Sequence, residues 1–265
     1  MGRFATTVPY YQRFRPPYPP AFFRRVARAL RLDGSQTLVD LGCGPGLLAI
    51  GFAPYVRRVV GVDPEPAMLA AAREAAAGAG IKLRLVASRA EDLPGRFGPF
   101  DVVTIGRALH WLDRGPMLAR LDRLVRPEGA IVVCGAVPAA GRENPWRARY
   151  NAFRHRVAPE KDRRRYASDG TRFFAGTPFA AAGSVAVRVR HRISVDVLVG
   201  RLFSMSNTSP ALLGSGIGRV ESRLRAILAP FAGRNGTIAE SVVARADIFA
   251  RAAEAGERTQ RNRSS

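Results

Sequence analysis

The sequence is short of cysteine, lysine and acidic residues, and these shortages exclude several classes of protein. Its 265 residues include only two cysteines, Cys43 and Cys134, which are too few for a disulfide framework or a zinc site. A reducing cytoplasm is therefore the expected compartment. No apolar run is long enough to cross a bilayer, and the first residues lack the apolar stretch of a signal peptide, so no membrane partner is expected. The composition, 47% hydrophobic and 24% charged, is that of a globular chain with a sizeable core.

The shortage of acids leaves a net charge of +21, carried by arginine because Lys82 and Lys161 are the only lysines. A strongly basic chain is expected to meet nucleic acid or another polyanion. The alternative is a GC-rich genome, which favours arginine, alanine and glycine together. The arginines are scattered, apart from Arg163-Arg164-Arg165, and few aromatic residues lie between them to stack on bases. A nucleic-acid partner is therefore the less favoured interpretation.

The most informative stretch is a glycine-rich turn, Asp40-Leu41-Gly42-Cys43-Gly44-Pro45-Gly46. It follows apolar residues that predict a buried strand and precedes Leu47–Ala53, which predicts a buried helix. Glycine lets the backbone turn sharply and approach a ligand, while the helix start offers unpaired N–H groups. Leu47 stands where a dinucleotide fingerprint would have its last glycine, and an acid beside the turn favours a cationic group such as an ammonium. The alternative is a strand-to-helix turn that binds nothing.

Three further elements follow predicted strands. Strand Arg58–Asp63 ends in an acid about 20 residues beyond the turn, the separation expected of a carboxylate that binds a ribose diol. The alternative for Asp63 is an N-cap of the next helix. Strand Lys82–Ala87 leads to Ala90-Glu91-Asp92-Leu93-Pro94, and strand Phe100–Ile105 leads to Gly106-Arg107-Ala108-Leu109-His110-Trp111.

In their joint spacing these elements resemble the motifs of class I S-adenosylmethionine (SAM)-dependent methyltransferases, in the small-molecule branch with an A-L-H-W motif that includes the aconitate-type enzymes. The resemblance covers most of the chain and implies SAM as cofactor. It implies that Asp40 helps to hold the methionine ammonium, that Asp63 binds the ribose and that Asp92 accepts from the adenine amino group. No metal is expected. The full cofactor set that it implies is Asp40, Gly42, Cys43, Gly44, Gly46, Asp63, Pro64, Met68, Glu91, Asp92, Leu93, Gly106 and Arg107.

The resemblance also implies a small-molecule methyl acceptor beside the sulfonium. His110 is the candidate catalytic residue, as a general base or as a group that orients the acceptor, because its ordinary pKa suits either task. The alternative is that His110 and Trp111 pack the floor of the cofactor pocket. An anionic acceptor, suggested by Arg15 and the cap arginines, and a heteroaromatic or phenolic acceptor from secondary metabolism both stay open. The candidate acceptor residues are Tyr11, Arg15, Tyr18, His110, Trp111, Ser204 and Ser206.

Two other functions are compatible with these motifs. A tRNA or rRNA methyltransferase would suit the positive charge. Enzymes that methylate an exocyclic base amine, however, usually carry [D/N]-P-P-[Y/F] where this chain has Gly106-Arg107-Ala108-Leu109. A protein that binds SAM without transferring its methyl group would keep the same acids. The number of subunits is left open.

The alternation of strands and helices predicts an α/β fold with a Rossmann-like, doubly wound, mostly parallel seven-stranded sheet, an antiparallel last strand and a helical cap. Ligands of such sheets bind at the carboxyl ends of the strands, where the motif elements fall. Locally, Tyr10–Pro20 predicts an extended, proline-rich arm and Arg172–Phe174 a loop. The predicted regions are an arm and helix over the active site (1–36), a SAM-binding core (37–137), an inserted helical cap (138–183), closing strands and helices (184–250) and a disordered tail (251–265).

Overall fold

The computed structural model describes residues 7–158 and 169–252. Within these ranges no helix combines the length and the hydropathy that a membrane crossing requires. The predicted tail beyond residue 252, the Arg163–Arg165 cluster and the last part of the predicted cap helix lie outside the described residues. The strands are β1 (Thr37–Leu41), β2 (Arg58–Asp63), β3 (Arg84–Ala87), β4 (Phe100–Gly106), β5 (Val125–Pro138), β6 (Phe179–Ser194) and β7 (Thr237–Arg251). The α-helices are α1 (Val8–Phe14), α2 (Pro20–Ala29), α3 (Leu47–Phe52), α4 (Pro66–Gly78), α5 (Arg114–Leu124), α6 (Arg147–Val157), α7 (Gly170–Phe174), α8 (Val195–Phe203), α9 (Pro210–Leu213) and α10 (Ile217–Leu228).

The strands form a single seven-stranded sheet in the order β3-β2-β1-β4-β5-β7-β6. The strands from β1 to β5 pair in parallel. The last strand of the chain, β7, runs antiparallel to both of its neighbours, β5 and β6. This arrangement confirms the predicted fold class. β1 is buried along its whole length, as expected of a parallel strand covered by helices on both faces.

Two hydrophobic clusters cover the two faces of the sheet. Val39 and Leu41 of β1 belong to the cluster that includes Met117 and Leu121 of α5. Leu38, which points to the opposite face because strand side chains alternate, belongs to the cluster that includes residues of α2 and α3. The parallel strands therefore lie between two helical layers, with their carboxyl ends at one edge.

A third cluster forms a helical layer beyond the sheet. Trp146, which directly precedes α6, and Tyr150 and Phe153 of α6 are buried against residues of α8 and α10. The Trp146 indole N–H also donates to the Ala239 carbonyl (3.1 Å). This layer therefore draws helices both from the predicted cap segment and from the segment that follows it. The predicted division of the chain into regions stays a prediction.

The predicted extended arm is wrong in its first half, because α1 includes Tyr10 to Phe14. Pro9 lies in the first turn of α1, where the missing N–H breaks no helical hydrogen bond. A tertiary contact fixes the helix, since the Phe14 ring packs so closely on α8 that a Cβ at Gly200 would lie 2.3 Å from it. The chain is extended from Arg15, as predicted for the second half.

The predicted loop at Arg172–Phe174 is also wrong, because these residues complete α7. The Asp169 side chain caps this short helix by accepting from the Arg172 backbone N–H (3.1 Å). Phe173 and Phe174 are buried in the core on the α5 side of the sheet. Packing of the two rings therefore determines the local structure.

Candidate active site

An open cavity of about 560 Å³ lies at the carboxyl ends of the parallel strands. This volume falls within the range of small-molecule sites, about 300 to 1,000 Å³. The cavity is lined by Tyr11, Arg15, Gly42, Gly44, Asp63, Pro64, Met68, Arg89, Ala90, Glu91, Gly106, Arg107, Ala108, His110, Trp111, Leu112, Gly135, Ala136, Val137 and Ser206. The structure therefore brings most of the predicted site residues to one surface.

The glycine turn after β1 is held close to the rest of the site by its backbone. Gly42 and Gly44 have left-handed φ angles of 67° and 52°, which a residue with a Cβ rarely adopts. A Cβ at Gly42 would lie 2.6 Å from the Cβ of Ala108, in the loop after β4. The Gly44 N–H donates to Asp63 Oδ2 (2.8 Å), which joins the turn to the end of β2. Only glycine allows this close approach of the two loops.

Asp63 organises two loops and still faces the cavity. Its Oδ2 accepts from Gly44 and its Oδ1 accepts from the Glu65 N–H (2.9 Å). The N-cap residue of α4 is Glu65, so the alternative assignment of Asp63 as the N-cap is not observed. Burial raises the pKa of Asp63 above its ordinary value. Because each carboxylate oxygen accepts more than one hydrogen bond, Asp63 keeps capacity for ligand hydroxyl groups.

Asp40 is almost completely buried, with 1% of its surface exposed. Its carboxylate accepts from the Ala49 N–H (3.2 Å) and from the Thr104 hydroxyl (2.8 Å). Burial raises the pKa of Asp40 from 3.8 to about 7, against the opposing effect of these two hydrogen bonds. Asp40 therefore ties β1 to α3 and β4 and lies at a small recess beside the main cavity.

The recess is lined by groups of both charges. Asp40 and Arg107 both contribute to its wall, together with Tyr18 and Cys43. Arg107 has a left-handed φ of 57°, and its Nη2 donates to the Pro16 carbonyl (2.5 Å). Its Nη1 is buried without a hydrogen-bond partner among the described residues, and so is the Tyr18 hydroxyl. A carboxylate opposite a guanidinium with unused donors is complementary to the ammonium and carboxylate of an amino acid, so these residues fit the methionine end of SAM.

The loop after β4 forms a single helical turn, Leu109–Trp111, at the cavity wall. Both His110 and Trp111 line the cavity, and their ring centroids lie 5.3 Å apart. Leu109, which precedes them, is buried in the sheet core and anchors the turn. This geometry brings His110 to the cavity but leaves its catalytic and its packing role equally available.

Several predicted site residues lie elsewhere. The Asp92 side chain is 67% exposed and is not part of the cavity wall. Its neighbour Glu91 lines the cavity, where its Oε1 accepts from the Asp113 N–H (2.8 Å) and its Oε2 lies 3.5 Å from Arg89 Nε. Leu93 is fully buried in the core. The polar residue at this part of the cavity is therefore Glu91.

Three other predictions also concern residues outside the main cavity wall. Gly46 is the N-cap of α3, with a left-handed φ of 82°. Cys43 lies in the recess, where burial raises the pKa of its thiol. The Ser204 hydroxyl donates to the Arg201 carbonyl (2.7 Å), while Ser206, two residues on, lines the cavity. The Ser204 side chain thus belongs to the end of α8.

The cavity also contains residues that the sequence did not single out. Arg89 and Ala90 directly precede the predicted Glu91, and Ala108 and Leu112 lie within two residues of the predicted His110. Their nearness to these motif residues was the available signal. Gly135, Ala136 and Val137 line the cavity because β5 extends past Cys134 to Pro138. The extension depends on antiparallel pairing with β7, which no local pattern in β5 indicates.

Part of the chain matches a known protein family. Residues 39–133 match the family described as a methyltransferase domain. An uncharacterized methyltransferase of Schizosaccharomyces pombe is 35% identical over 125 residues, which are 45% of this chain and 47% of that protein. A ubiquinone biosynthesis O-methyltransferase of Azorhizobium caulinodans is 35% identical over 112 residues, which are 42% of this chain and 44% of that protein. The chain spans about half the length of the curated relatives it matches.

Solved structures share the fold along most of the chain. A candidate type II methyltransferase of Anaeromyxobacter dehalogenans has a TM-score of 0.62 at 22% identity, covering 90% of this chain and 98% of that one. A SAM-dependent methyltransferase of Thiobacillus denitrificans, solved with S-adenosyl-L-homocysteine, has a TM-score of 0.55 at 13% identity, covering 95% and 99%. At these identities the likeness shows the fold. The resemblance to class I methyltransferases is confirmed, while its aconitate-type detail stays a prediction. Residues 39–133 therefore form a methyltransferase domain, and the chain has the fold of class I SAM-dependent methyltransferases.

Proposed function

We propose that this chain transfers a methyl group from SAM to an O, N or C nucleophile of a small-molecule acceptor. The observation that carries the proposal is the meeting of three motifs at one cavity. The glycine turn, Asp63 and the His110-Trp111 loop are far apart in sequence, yet all line it. The names of the curated relatives, which are methyltransferases, support the same reaction class.

The cofactor would occupy the recess and the part of the cavity beside β2. Asp40 would hold the methionine ammonium, directly or through water, and Arg107 the carboxylate. Asp63 would accept from the ribose hydroxyls. Glu91, rather than Asp92, would serve the adenine side, because Glu91 lies in the wall. SAM supplies the chemistry itself, an electrophilic methyl group on a sulfonium.

The acceptor would occupy the remaining wall, beside Tyr11, Arg15, Trp111 and Ser206. Methyl transfer is an in-line displacement, so the contribution of the protein is to align the nucleophile and to exclude water. His110 can take the proton that a hydroxyl or amine nucleophile loses, or it can orient the acceptor without titrating. The volume of the cavity favours a small acceptor.

A turnover assay tests the proposal. The purified protein is incubated with SAM and, separately, with phenols, heteroaromatic amines, small carboxylic acids and tRNA, and release of S-adenosylhomocysteine (SAH) is measured. We expect turnover with at least one small-molecule class and loss of turnover in Asp63→Asn. The control is Asp196→Asn, the same change at a carboxylate that is 65% exposed on α8.

Two outcomes contradict the proposal. Binding of SAM without turnover of any acceptor would favour a non-catalytic SAM-binding protein. Methylation of tRNA alone would favour a nucleic-acid acceptor, which is the alternative suggested by the net charge of +21. A cytoplasmic location stays a prediction, and this assay does not test it.

A further inference from the structure

We propose that Arg15 forms an anion subsite on the acceptor side of the cavity, so that the methyl acceptor carries a carboxylate or an anionic group of similar size. The inference rests on the proposed function for the identity of the cavity, and it deepens that function by naming the acceptor class. The evidence for the subsite is the set of contacts that Arg15 makes.

Arg15 is a half-buried cation with an unused donor. Its Nη2 donates to the Ser204 carbonyl (3.2 Å), and its guanidinium lies 4.9 Å from the centroid of the Tyr11 ring. Its Nε is buried without a hydrogen-bond partner among the described residues. Within residues 7–158 and 169–252, no carboxylate forms an ion pair with Arg15. On this side the cavity is thus bounded by a positive charge that no carboxylate of the described residues neutralises.

The buried carboxylate of Glu240, on β7, is already paired with other side chains. Glu240 accepts from Arg201 Nη1 (2.5 Å) and Nη2 (3.1 Å), and its Oε2 lies 3.0 Å from His191 Nε2. Arg201 also donates through Nε to the carbonyl of Phe14, the residue before Arg15. Glu240 therefore balances the charge of Arg201 and leaves that of Arg15.

The surroundings of Arg15 disfavour its positive charge. Burial, together with repulsion from Arg107 and Arg201, lowers the pKa of Arg15 below its ordinary value. The Tyr150 hydroxyl, which interacts electrostatically with Arg15, is also buried without a partner among the described residues. An anionic group in the cavity would relieve the repulsion and use the planar donor set of the guanidinium.

Arg15, Arg89 and Arg107 line the main cavity, and Arg107 also lines the recess. Arg107 lies in the recess beside Asp40 and the glycine turn, where the amino-acid end of the cofactor is proposed to bind. Arg15 is absent from the recess and lies in the main cavity, together with Ser206, His110 and Val137. Arg15 and Arg107 are close enough to repel each other, but only Arg107 also lines the recess. Arg107 can therefore serve the cofactor carboxylate while Arg15 serves an acidic group on the acceptor.

The test compares an acid with its neutral amide on the SAH-loaded protein. SAH is used because it lacks the sulfonium charge, which would itself attract an anion. Calorimetry measures the affinity of 4-hydroxybenzoate and of 4-hydroxybenzamide for wild type, Arg15→Gln and Arg15→Lys. We expect wild type to bind the acid about tenfold or more tightly than the amide, as one charge-assisted contact allows. Arg15→Gln should abolish that preference and Arg15→Lys should keep part of it.

The matched control is Arg13→Gln, which removes the same charge from α1 at an exposed position outside the cavity wall. Arg13→Gln should keep the full preference for the acid. The wild-type comparison of acid with amide needs no variant, so it remains decisive even if Arg15→Gln fails to fold.

Three results would overturn the subsite. Wild type would bind acid and amide equally, or would bind no acid at millimolar concentration. Alternatively, Arg15→Gln would weaken the binding of SAH but not that of 5′-methylthioadenosine, which lacks the carboxylate. That result would mean that Arg15 binds the cofactor. Failure of SAH to bind wild type would contradict the proposed function instead, and titrating acid and amide into the unliganded protein would then decide on the subsite separately.

Discussion

The buried carboxyl group of Asp40 should make the stability of the unliganded protein fall as the pH rises. The pKa of Asp40 in the folded protein is about 7, against an ordinary value of 3.8. Between pH 3.8 and about pH 7, the folded chain therefore keeps a proton on Asp40 that the unfolded chain has already lost. A group of this kind stabilises the fold fully below the lower pKa, and its contribution is lost as the pH rises through the window between the two values.

The magnitude follows from the two pKa values. Raising a pKa from 3.8 to about 7 corresponds to about 4 kcal/mol between the two protonation states. Between about pH 5 and about pH 8, about 2.5 kcal/mol of stability should be lost through Asp40 alone. Asp40→Asn should remove this loss, because an amide does not titrate and can still accept from the Ala49 N–H.

The assay is urea denaturation of wild type and Asp40→Asn at these two pH values. The free energy of unfolding should fall more steeply with pH in wild type than in the variant, by about 2.5 kcal/mol. Asp63, whose pKa burial also raises, is present in both proteins, so its contribution cancels. An equal pH dependence in the two proteins, or a steeper one in the variant, would refute the reasoning.

Three further predictions concern close packing and buried charge. Gly42→Ala places a Cβ 2.6 Å from Ala108 at a left-handed φ, which should lower the free energy of unfolding by about 1 to 3 kcal/mol and weaken the binding of SAH in calorimetry. The control is Gly218→Ala, where a Cβ meets nothing within 4 Å, and equal SAH affinity of the two variants would contradict the argument. Arg201→Met leaves Glu240 buried without its guanidinium and should lower the free energy of unfolding by about 3 to 5 kcal/mol, whereas a loss below 1 kcal/mol would mean that water or His191 compensates. Gly200→Ala places a Cβ 2.3 Å from the Phe14 ring and should displace α1, seen as faster proteolytic cleavage before α2; unchanged cleavage would show that α1 does not depend on this contact.

The fold was predictable because its signals are local. β1 and β2 are short apolar runs with an acid at or next to their carboxyl end, and a predicted helix follows each. The parallel order therefore follows from the alternation of strands and helices. The carboxyl ends of parallel strands share one edge of the sheet, which is why the motifs of the site could be placed together without coordinates.

The predictions from sequence are wrong where tertiary contacts determine the local structure, or where two residues close in sequence could both fill one role. The helix α1 depends on the contact of Phe14 with Gly200, far along the chain, and proline content alone favoured an extended arm. In the loop after β3 the sequence offers two adjacent acids, and only the fold distinguishes Glu91, which lines the cavity, from Asp92, which is exposed. Ser204 and Ser206 pose the same ambiguity two residues apart.

The most direct test of the central claim is calorimetric titration of SAM and SAH into wild type, Asp63→Asn and Asp196→Asn, with NADH as the control ligand. We expect SAM and SAH to bind wild type with micromolar affinity, and NADH not to bind. Loss of a charged acceptor for the ribose hydroxyls should weaken both ligands about tenfold or more in Asp63→Asn and leave Asp196→Asn unchanged. Binding of NADH without SAM would show that the glycine turn serves a dinucleotide and would contradict the proposed function.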